Sequence, residues 1–197
     1  MKQSIPSDLI ARCRAGDQAA CTELFELAAP QVYRLAYSLL LHPQDAEDVT
    51  QEVFVYAFRN LGHYDPERGA LHTWLYTITV SRSRNARRRK WLPTLDLSEL
   101  LDFGQEPSSP EEEGPEPAAL RQERDAGLLA ALAKLSPRLR EAVVLRYGGQ
   151  LSYKEMSAIL NCPEKTAESR VRLAHKSLRQ HLRAADFGSL VELQGLP

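Results

Sequence analysis

Three groups of charged and polar side chains in this sequence have the types and spacing to engage other macromolecules. The first is Asp45, Glu47, Asp48, Gln51 and Glu52, gathered near the start of one helical stretch. Carboxylates in a first helical turn complement the helix dipole by ~0.3–1 kcal/mol each. That accounts for one or two of them. The second group is residues 81–90, SRSRNARRRK, in which six of ten are Arg or Lys and none is acidic. Cations suit a helix C-terminus, but six exceed that need. Tyr64, Trp74 and Tyr76 lie nearby in sequence, and unstacked bases can stack on rings while arginines hold the backbone. The third group lies on a long helix after Pro163, where Lys165, Arg170, Arg172, Lys176, Arg179 and Arg183 fall away from an apolar face of Ala167, Val171, Ala174, Leu178 and Leu182.

Catalytic chemistry finds no comparable set. There is no glycine loop to cradle phosphate, no zinc-ligand spacing and no nucleophile paired with a base. His42, His63, His72, His175 and His181 are scattered, as solvent-exposed histidines commonly are. No enzyme activity, cofactor or metal is expected.

The elements that must position these groups read as helices throughout. Ser7-Asp8 can cap a helix carrying Leu9, Ile10 and Cys13 and ended by Gly16. Asp17 can cap the next, with Ala20, Leu24 and Leu27 at helical spacing. Pro30 is placed at the start of a third, with Val32, Leu35, Ala36, Leu39 and Leu40. Pro43 opens a fourth, which runs to about Leu61 with an apolar stripe of Val49, Val53, Phe54, Ala57, Phe58 and Leu61. A polar loop follows, then a helix with Leu71, Trp74, Leu75 and Ile78 buried. Near the C-terminus, Ser136-Pro137 starts a helix holding Leu139, Val143, Val144 and Tyr147, and Gly148-Gly149 ends it. Ser152-Tyr153-Lys154-Glu155 is a capping box. The short helix after it buries Met156, Ile159 and Leu160, with Asn161 suited to the left-handed turn before Pro163. Short helix, tight turn and long basic helix is the helix-turn-helix pattern, whose second helix enters the major groove.

Composition agrees with this layout. The chain has 197 residues, 43% of them hydrophobic, and a net charge of −1. Collagen, a wholly disordered chain and a disulfide scaffold are excluded, and no apolar run is long enough to span a bilayer. The N-terminus lacks the apolar stretch of a secretory signal. The odd count of three cysteines, Cys13, Cys21 and Cys162, predicts a reducing cytoplasm with free thiols acting as small core hydrophobes. The charge is partitioned, with a net of +2 over residues 1–90, −7 over 91–122 and +4 over 123–197. The acidic segment holds four prolines between residues 96 and 117 and reads as a solvated tether. The predicted fold is therefore all-α, with two small helical domains at 1–90 and 123–185, an acidic flexible linker at 91–122 and a tail at 186–197.

Several stretches closely resemble one family. Asp45-Ala46-Glu47-Asp48-Val49-Thr50-Gln51-Glu52-Val53-Phe54 resembles the core-binding motif of bacterial extracytoplasmic-function (ECF) sigma factors, a group within the sigma-70 family. Thr73-Trp74-Leu75-Tyr76 resembles the helix that follows it. Leu135 to Glu141, Leu151 to Glu155, and Cys162-Pro163 through Ser169-Arg170-Val171 resemble region 4 of that family. The resemblance implies a factor that binds core RNA polymerase, directs it to promoters and helps melt DNA. It implies that Asp45, Glu47, Asp48, Gln51 and Glu52 meet the polymerase clamp. It implies −10 contacts from His63, Tyr64, Thr77, Ser81, Arg82, Arg84, Arg87 and Arg88, with Trp74 in the core. It implies −35 contacts from Lys165, Thr166, Glu168, Ser169, Arg170, Arg172 and Lys176, with Arg170 also able to brace the bundle, and a contact between the second domain and the polymerase flap. An anti-sigma protein is an expected partner, while membrane insertion and an obligate homo-oligomer are not.

Ser81, Glu168 and Leu173 depart from the family's usual residues. They motivate an alternative reading, a sigma-like decoy or adaptor that binds an anti-sigma factor without promoter activity. A repressor or activator acting through the helix-turn-helix alone would leave the Asp45–Phe54 stretch unexplained. The linker has two readings, a passive tether or a mimic of RNA in a polymerase channel. Free in solution, two such domains could also fold together and mask their DNA-facing surfaces.

Overall fold

The computed structural model describes residues 5–91 and 118–184, and every element among them is helical. In order they are α1 (Ser7–Arg14), α2 (Gln18–Leu40), α3 (Pro43–Asn60), a 3-10 turn (Leu61–His63), α4 (Leu71–Trp91), α5 (Ala118–Ala133), α6 (Pro137–Val143) running on as a π-helical turn (Val144–Gly148), α7 (Tyr153–Leu160) and α8 (Glu164–Ala184). The readings of the linker as a tether or RNA mimic concern residues outside this description, as do the tail and the side chains of His181, Leu182 and Arg183.

Local chemistry explains most of the element ends. The Asp17 side chain accepts from the Ala20 amide and caps α2, and Leu41 ends that helix in the left-handed region at φ 59°. His42 caps α3, accepting from the Asp45 amide, with Pro43 at the first turn. The capping box before α7 is complete: the Glu155 amide donates to Ser152 Oγ at 3.3 Å, and the Ser152 amide donates to the Glu155 carboxylate at 2.7 Å. Asn161 closes α7 at φ 50°. Ser152→Ala is expected to cost ~1 kcal/mol, read as a lower urea midpoint at unchanged slope.

Two helix boundaries differ from expectation. Pro6 rather than Ser7 occupies the cap position of α1. Pro30 does not open a helix; it lies inside α2, which runs unbroken for 23 residues. Proline removes one backbone donor, but Pro30 is exposed, so the carbonyl it leaves free is on a solvent-facing side of the helix. The apolar stripe Ala20, Leu24, Ala28, Val32, Leu35, Ala36 and Leu39 continues through it and keeps the helix whole.

The cysteine expectation is also corrected. Cys13 and Cys21 form a disulfide with Cα atoms 4.9 Å apart, and Cys162 is the free thiol. The turn at Ala15–Asp17 folds α1 back on α2 and brings both cysteines into the helix–helix contact, a juxtaposition that a residue count cannot reveal.

Two buried clusters organise the packing. One joins α1, α2, α3 and the first half of α4 around Leu24, Val32, Val49, Val53, Phe54 and Leu75. The other is shared between the two modules. Leu35 and Leu39 of α2 and Tyr76 and Val80 of α4 pack with Leu135, Leu145, Leu151, Met156, Ile159, Val171 and Ala174 from the C-terminal half. Gly149 sits at this seam: a Cβ there would lie 2.7 Å from the Leu145 carbonyl oxygen and 3.1 Å from the Tyr76 ring. Arg140 Nη1 donates across the same seam to the Leu39 carbonyl at 3.1 Å. Both modules are helical, and they share a core.

Candidate nucleic-acid and protein interfaces

The acidic group of α3 is divided by its neighbours. Asp45 accepts an ion pair from Lys90 Nζ at 2.7 Å, and Glu52 one from Arg89 at 3.0 Å, with Arg82 at 3.7 Å. These two acids hold the basic end of α4 against α3. Glu47, Asp48 and Gln51 are exposed. At helical spacing, Asp48 and Gln51 share one row with Val55, which is 52% exposed. The expected acidic surface is thus smaller than its sequence list, and it gains an apolar member. The alternation of charge drew attention away from Val55; its place on the polar side of the Val53, Phe54 and Ala57 stripe was the signal that could have found it.

The loop before α4 is braced from below. Tyr64 is buried, its hydroxyl donating to the Gly69 carbonyl at 3.1 Å and its ring 5.6 Å from that of Trp74. Arg14 of α1 donates to the Leu61 and Tyr64 carbonyls. The expectation that Tyr64 offers its ring to a base is therefore corrected: the ring is a post inside the loop, because the turn at residues 61–69 folds over it. Trp74 packs against the first core as expected. Tyr76 is buried in the shared core and does not supply an open stacking face. His63, Thr77 and Ser81 are exposed. Thr77, Ser81, Arg84 and Arg88 fall on one row of α4 at helical spacing.

The four arginines expected at the −10 element have different surroundings. Arg82 lies over the Tyr56 ring at 5.2 Å. Arg88 is exposed and donates to Asn85 at 2.7 Å. Arg84 and Arg87 both reach Glu141 of α6, at 2.7 Å and 2.5 Å. Glu141 is 2% exposed. Burial opposes its ionisation, but hydrogen bonds from Arg84 and Arg87 outweigh that and hold its carboxyl below the usual glutamate range. In this arrangement Arg84 and Arg87 are both engaged by the carboxylate of the other module, with Arg84 still 40% exposed. Glu141 was seen in the sequence only as part of a motif; no local signal shows that a carboxylate 54 residues beyond Arg87 will meet it.

On α8, Lys165, Glu168, Ser169, Arg172 and Lys176 share one side of the helix at helical spacing, opposite the buried Ala167, Val171 and Ala174. Thr166 is half-buried on the flank. Arg170 turns away from that row: its Nη1 lies 3.7 Å from Cys162 Sγ. With Arg84, Arg87, Arg88, Arg138 and Glu141 it lines a cleft of about 670 Å³ between the modules. His175 stacks with Tyr147 at 5.0 Å, and burial together with Arg179 lowers its pKa. Tyr147 is partly exposed rather than held in the core. Among the described residues no group of His, Cys, Asp or Glu is arranged to hold a metal ion, and no helix is long and apolar enough to cross a membrane.

An acidic helix, a braced loop leading into a basic helix, and a helix-turn-helix with a basic outer row make up the described helical structure. Residues 24–92 match sigma-70 region 2 and residues 126–178 match sigma-70 region 4. The chain is 38% identical over 171 residues to the ECF RNA polymerase sigma factor SigE of Mycolicibacterium smegmatis, covering 85% of this chain and 64% of that protein's length, a little under two thirds of it. It is 30% identical over 186 residues to the RNA polymerase sigma-H factor of Pseudomonas aeruginosa, covering 92% and 96% of the two chains. It is 31% identical over 182 residues to the ECF RNA polymerase sigma factor SigW of Bacillus subtilis, covering 88% and 95%. Among solved structures, it resembles the sigma factor RpoE in complex with the anti-sigma factor NepR from Bartonella quintana, with a TM-score of 0.66 at 25% identity over 82% of this chain and 96% of that one. It also resembles CnrH in complex with the cytosolic domain of CnrY, with a TM-score of 0.64 at 26% identity over 89% and 96%. The chain belongs to the ECF sigma factors of the sigma-70 family.

Proposed function

We propose that this protein binds core RNA polymerase in the bacterial cytoplasm, directs it to specific promoters and assists melting of the DNA. The observation that carries this reading is the pairing of two outward faces on two modules: Asp48, Gln51 and Val55 on α3, and Lys165, Arg172 and Lys176 on α8. The first suits a basic surface such as the polymerase clamp, with Glu47 at its edge. The second suits the major groove of the −35 element, with Ser169 and Glu168 in the same row; a carboxylate there can accept from cytosine N4. The −10 strand is assigned to His63, Thr77, Ser81 and Arg88, joined by Arg84 and Arg87 once Glu141 releases them. Residues 1–90 then serve as the region 2 module and 123–185 as the region 4 module, the latter also meeting the flap. RNA synthesis is the polymerase's chemistry and needs no catalytic residue here. The resemblance to sigma factors solved with anti-sigma proteins supports an anti-sigma partner for this chain.

Run-off transcription with bacterial core polymerase and the DNA upstream of the protein's own coding sequence tests this. Specific transcripts that depend on the protein are expected. Asp48→Arg should reduce capture of core polymerase while leaving duplex binding intact. Arg172→Ala should weaken discrimination at one −35 base pair by ~1–3 kcal/mol. Core binding with no initiation on any template would favour the decoy reading, for which the exposed Glu168 in the middle of the basic row is the motivating feature.

A further inference from the structure

The Cys13–Cys21 disulfide adjoins the brace beneath the −10 loop. We propose that this pair is a reversible thiol–disulfide modification site whose oxidation orders the loop at residues 61–69 and so favours reading of the −10 strand. Only the last step rests on the promoter-directing function argued above.

The route is short. Cys13 is buried on α1, and the next residue, Arg14, is the last of that helix. Arg14 Nε donates to the Leu61 carbonyl at 3.1 Å, and Nη2 to that of Tyr64. Its guanidinium also lies 5.7 Å from the Tyr64 ring centroid. Tyr64 in turn holds Gly69 through its hydroxyl. One side chain of α1 therefore fixes the start of the loop directly and its end through Tyr64. α1 itself has eight residues, too few to be stable alone. Apart from the disulfide, Leu9 and Ile10 hold it by burial, together with the largely exposed Arg12–Asp17 pair at 2.7 Å, a kind of contact that contributes little. The covalent link to α2 adds to these contacts a constraint that keeps Arg14 under the loop.

Both oxidation states fit the site. Cys21 is partly exposed and Cys13 is not, so Cys21 is the first to meet an oxidant. Cys21 Sγ lies 3.7 Å from the Cys13 carbonyl oxygen, which can accept a thiol proton in the reduced form. The oxidant proposed is a hydroperoxide. The Cys21 thiolate attacks the peroxide, the O–O bond breaks, and the leaving oxygen takes a proton to become an alcohol or water. Cys13, as thiolate, then attacks the Cys21 sulfenic sulfur, the S–O bond breaks, and hydroxide leaves as water with the proton that Cys13 gave up. Two thiols are oxidised by two electrons and the peroxide is reduced. A dithiol reductant reverses the step by two thiol–disulfide exchanges. Cys162, beside Arg170 in the other module, has no thiol partner within the pair's reach and serves as an internal control.

The test compares the full-length protein after hydrogen peroxide and after dithiothreitol. Oxidation should protect Cys13 and Cys21 from alkylation and leave Cys162 reactive, reversibly. Hydrogen exchange of the amides at residues 61–69 should be roughly tenfold slower in the oxidised form. Arg14→Lys, which removes the two-pronged hold, should make that exchange insensitive to oxidation state. Run-off transcription should be stronger from the oxidised protein. Failure to form the bond, equal exchange in the two states, or a response that survives Arg14→Lys overturns the proposal. If neither form binds core polymerase, the promoter-directing function fails, while the exchange result still decides the switch.

Discussion

Glu141→Gln is expected to loosen the contact between the two modules. Glutamine keeps the shape of the side chain and removes the charge that Arg84 and Arg87 share. Removing one partner from a buried ion pair typically costs 3–5 kcal/mol. The effect here belongs toward the lower part of that range, because Arg84 is 40% exposed and screened by solvent. What remains is Arg84 and Arg87 beside Arg140, whose own pKa is already lowered by burial and by the charge of Arg87. The variant should show a larger radius of gyration in small-angle scattering and tighter binding to duplex DNA, since the arginines of the cleft become available. Unchanged scattering with weaker DNA binding would remove the clasp as a masking device. Acid should imitate the variant. The folded pKa of Glu141 lies below its unfolded value, so its contribution is fully present above the ordinary glutamate range. It is lost as pH falls through the depressed value. The clasp is also imperfect, because Arg87 Nη1 is buried with no hydrogen-bond partner among the described residues. An unsatisfied buried donor costs ~1–3 kcal/mol, which favours an arrangement that can open.

Leu145→Ala should destabilise both modules together. Leu145 is fully buried in the cluster that also contains Leu35, Leu39, Tyr76 and Val80. Truncating such a leucine typically costs 2–5 kcal/mol through lost transfer energy and the cavity left behind. If the shared core couples the halves, calorimetry should show one transition moving to lower temperature, with hydrogen exchange rising in α4 as well as in α6 and α8. Two separated transitions, with only the C-terminal one shifted, would mean that the contact contributes little to the stability of the N-terminal half.

Much of this molecule was legible in its residues because the signals are local. A capping box, a left-handed asparagine and a helical stripe are decided within a few positions, so α3, α7 and α8 were found near their true limits. The exposure of Asp48 and Gln51 was legible because each stays on the open side of a single helix, and that of Lys165, Arg172 and Lys176 for the same reason. Pro30 misled because its local penalty was overridden by a continuous buried stripe. Tyr64 misled because an aromatic in a polar loop looks available until the loop folds over it.

Periodicity and capping depend on neighbours along the chain, so the all-helical class and the basic and acidic sides of single helices could be read from the residues alone. Tertiary packing then set which charges remain outward. It bound Arg84 and Arg87 to Glu141, drew Asp45 and Glu52 onto the end of α4, joined Cys13 to Cys21 and merged the two cores. Those outcomes depend on distances between residues far apart in the chain, where burial sets both the strength of a charge pair and the cost of leaving it unmade.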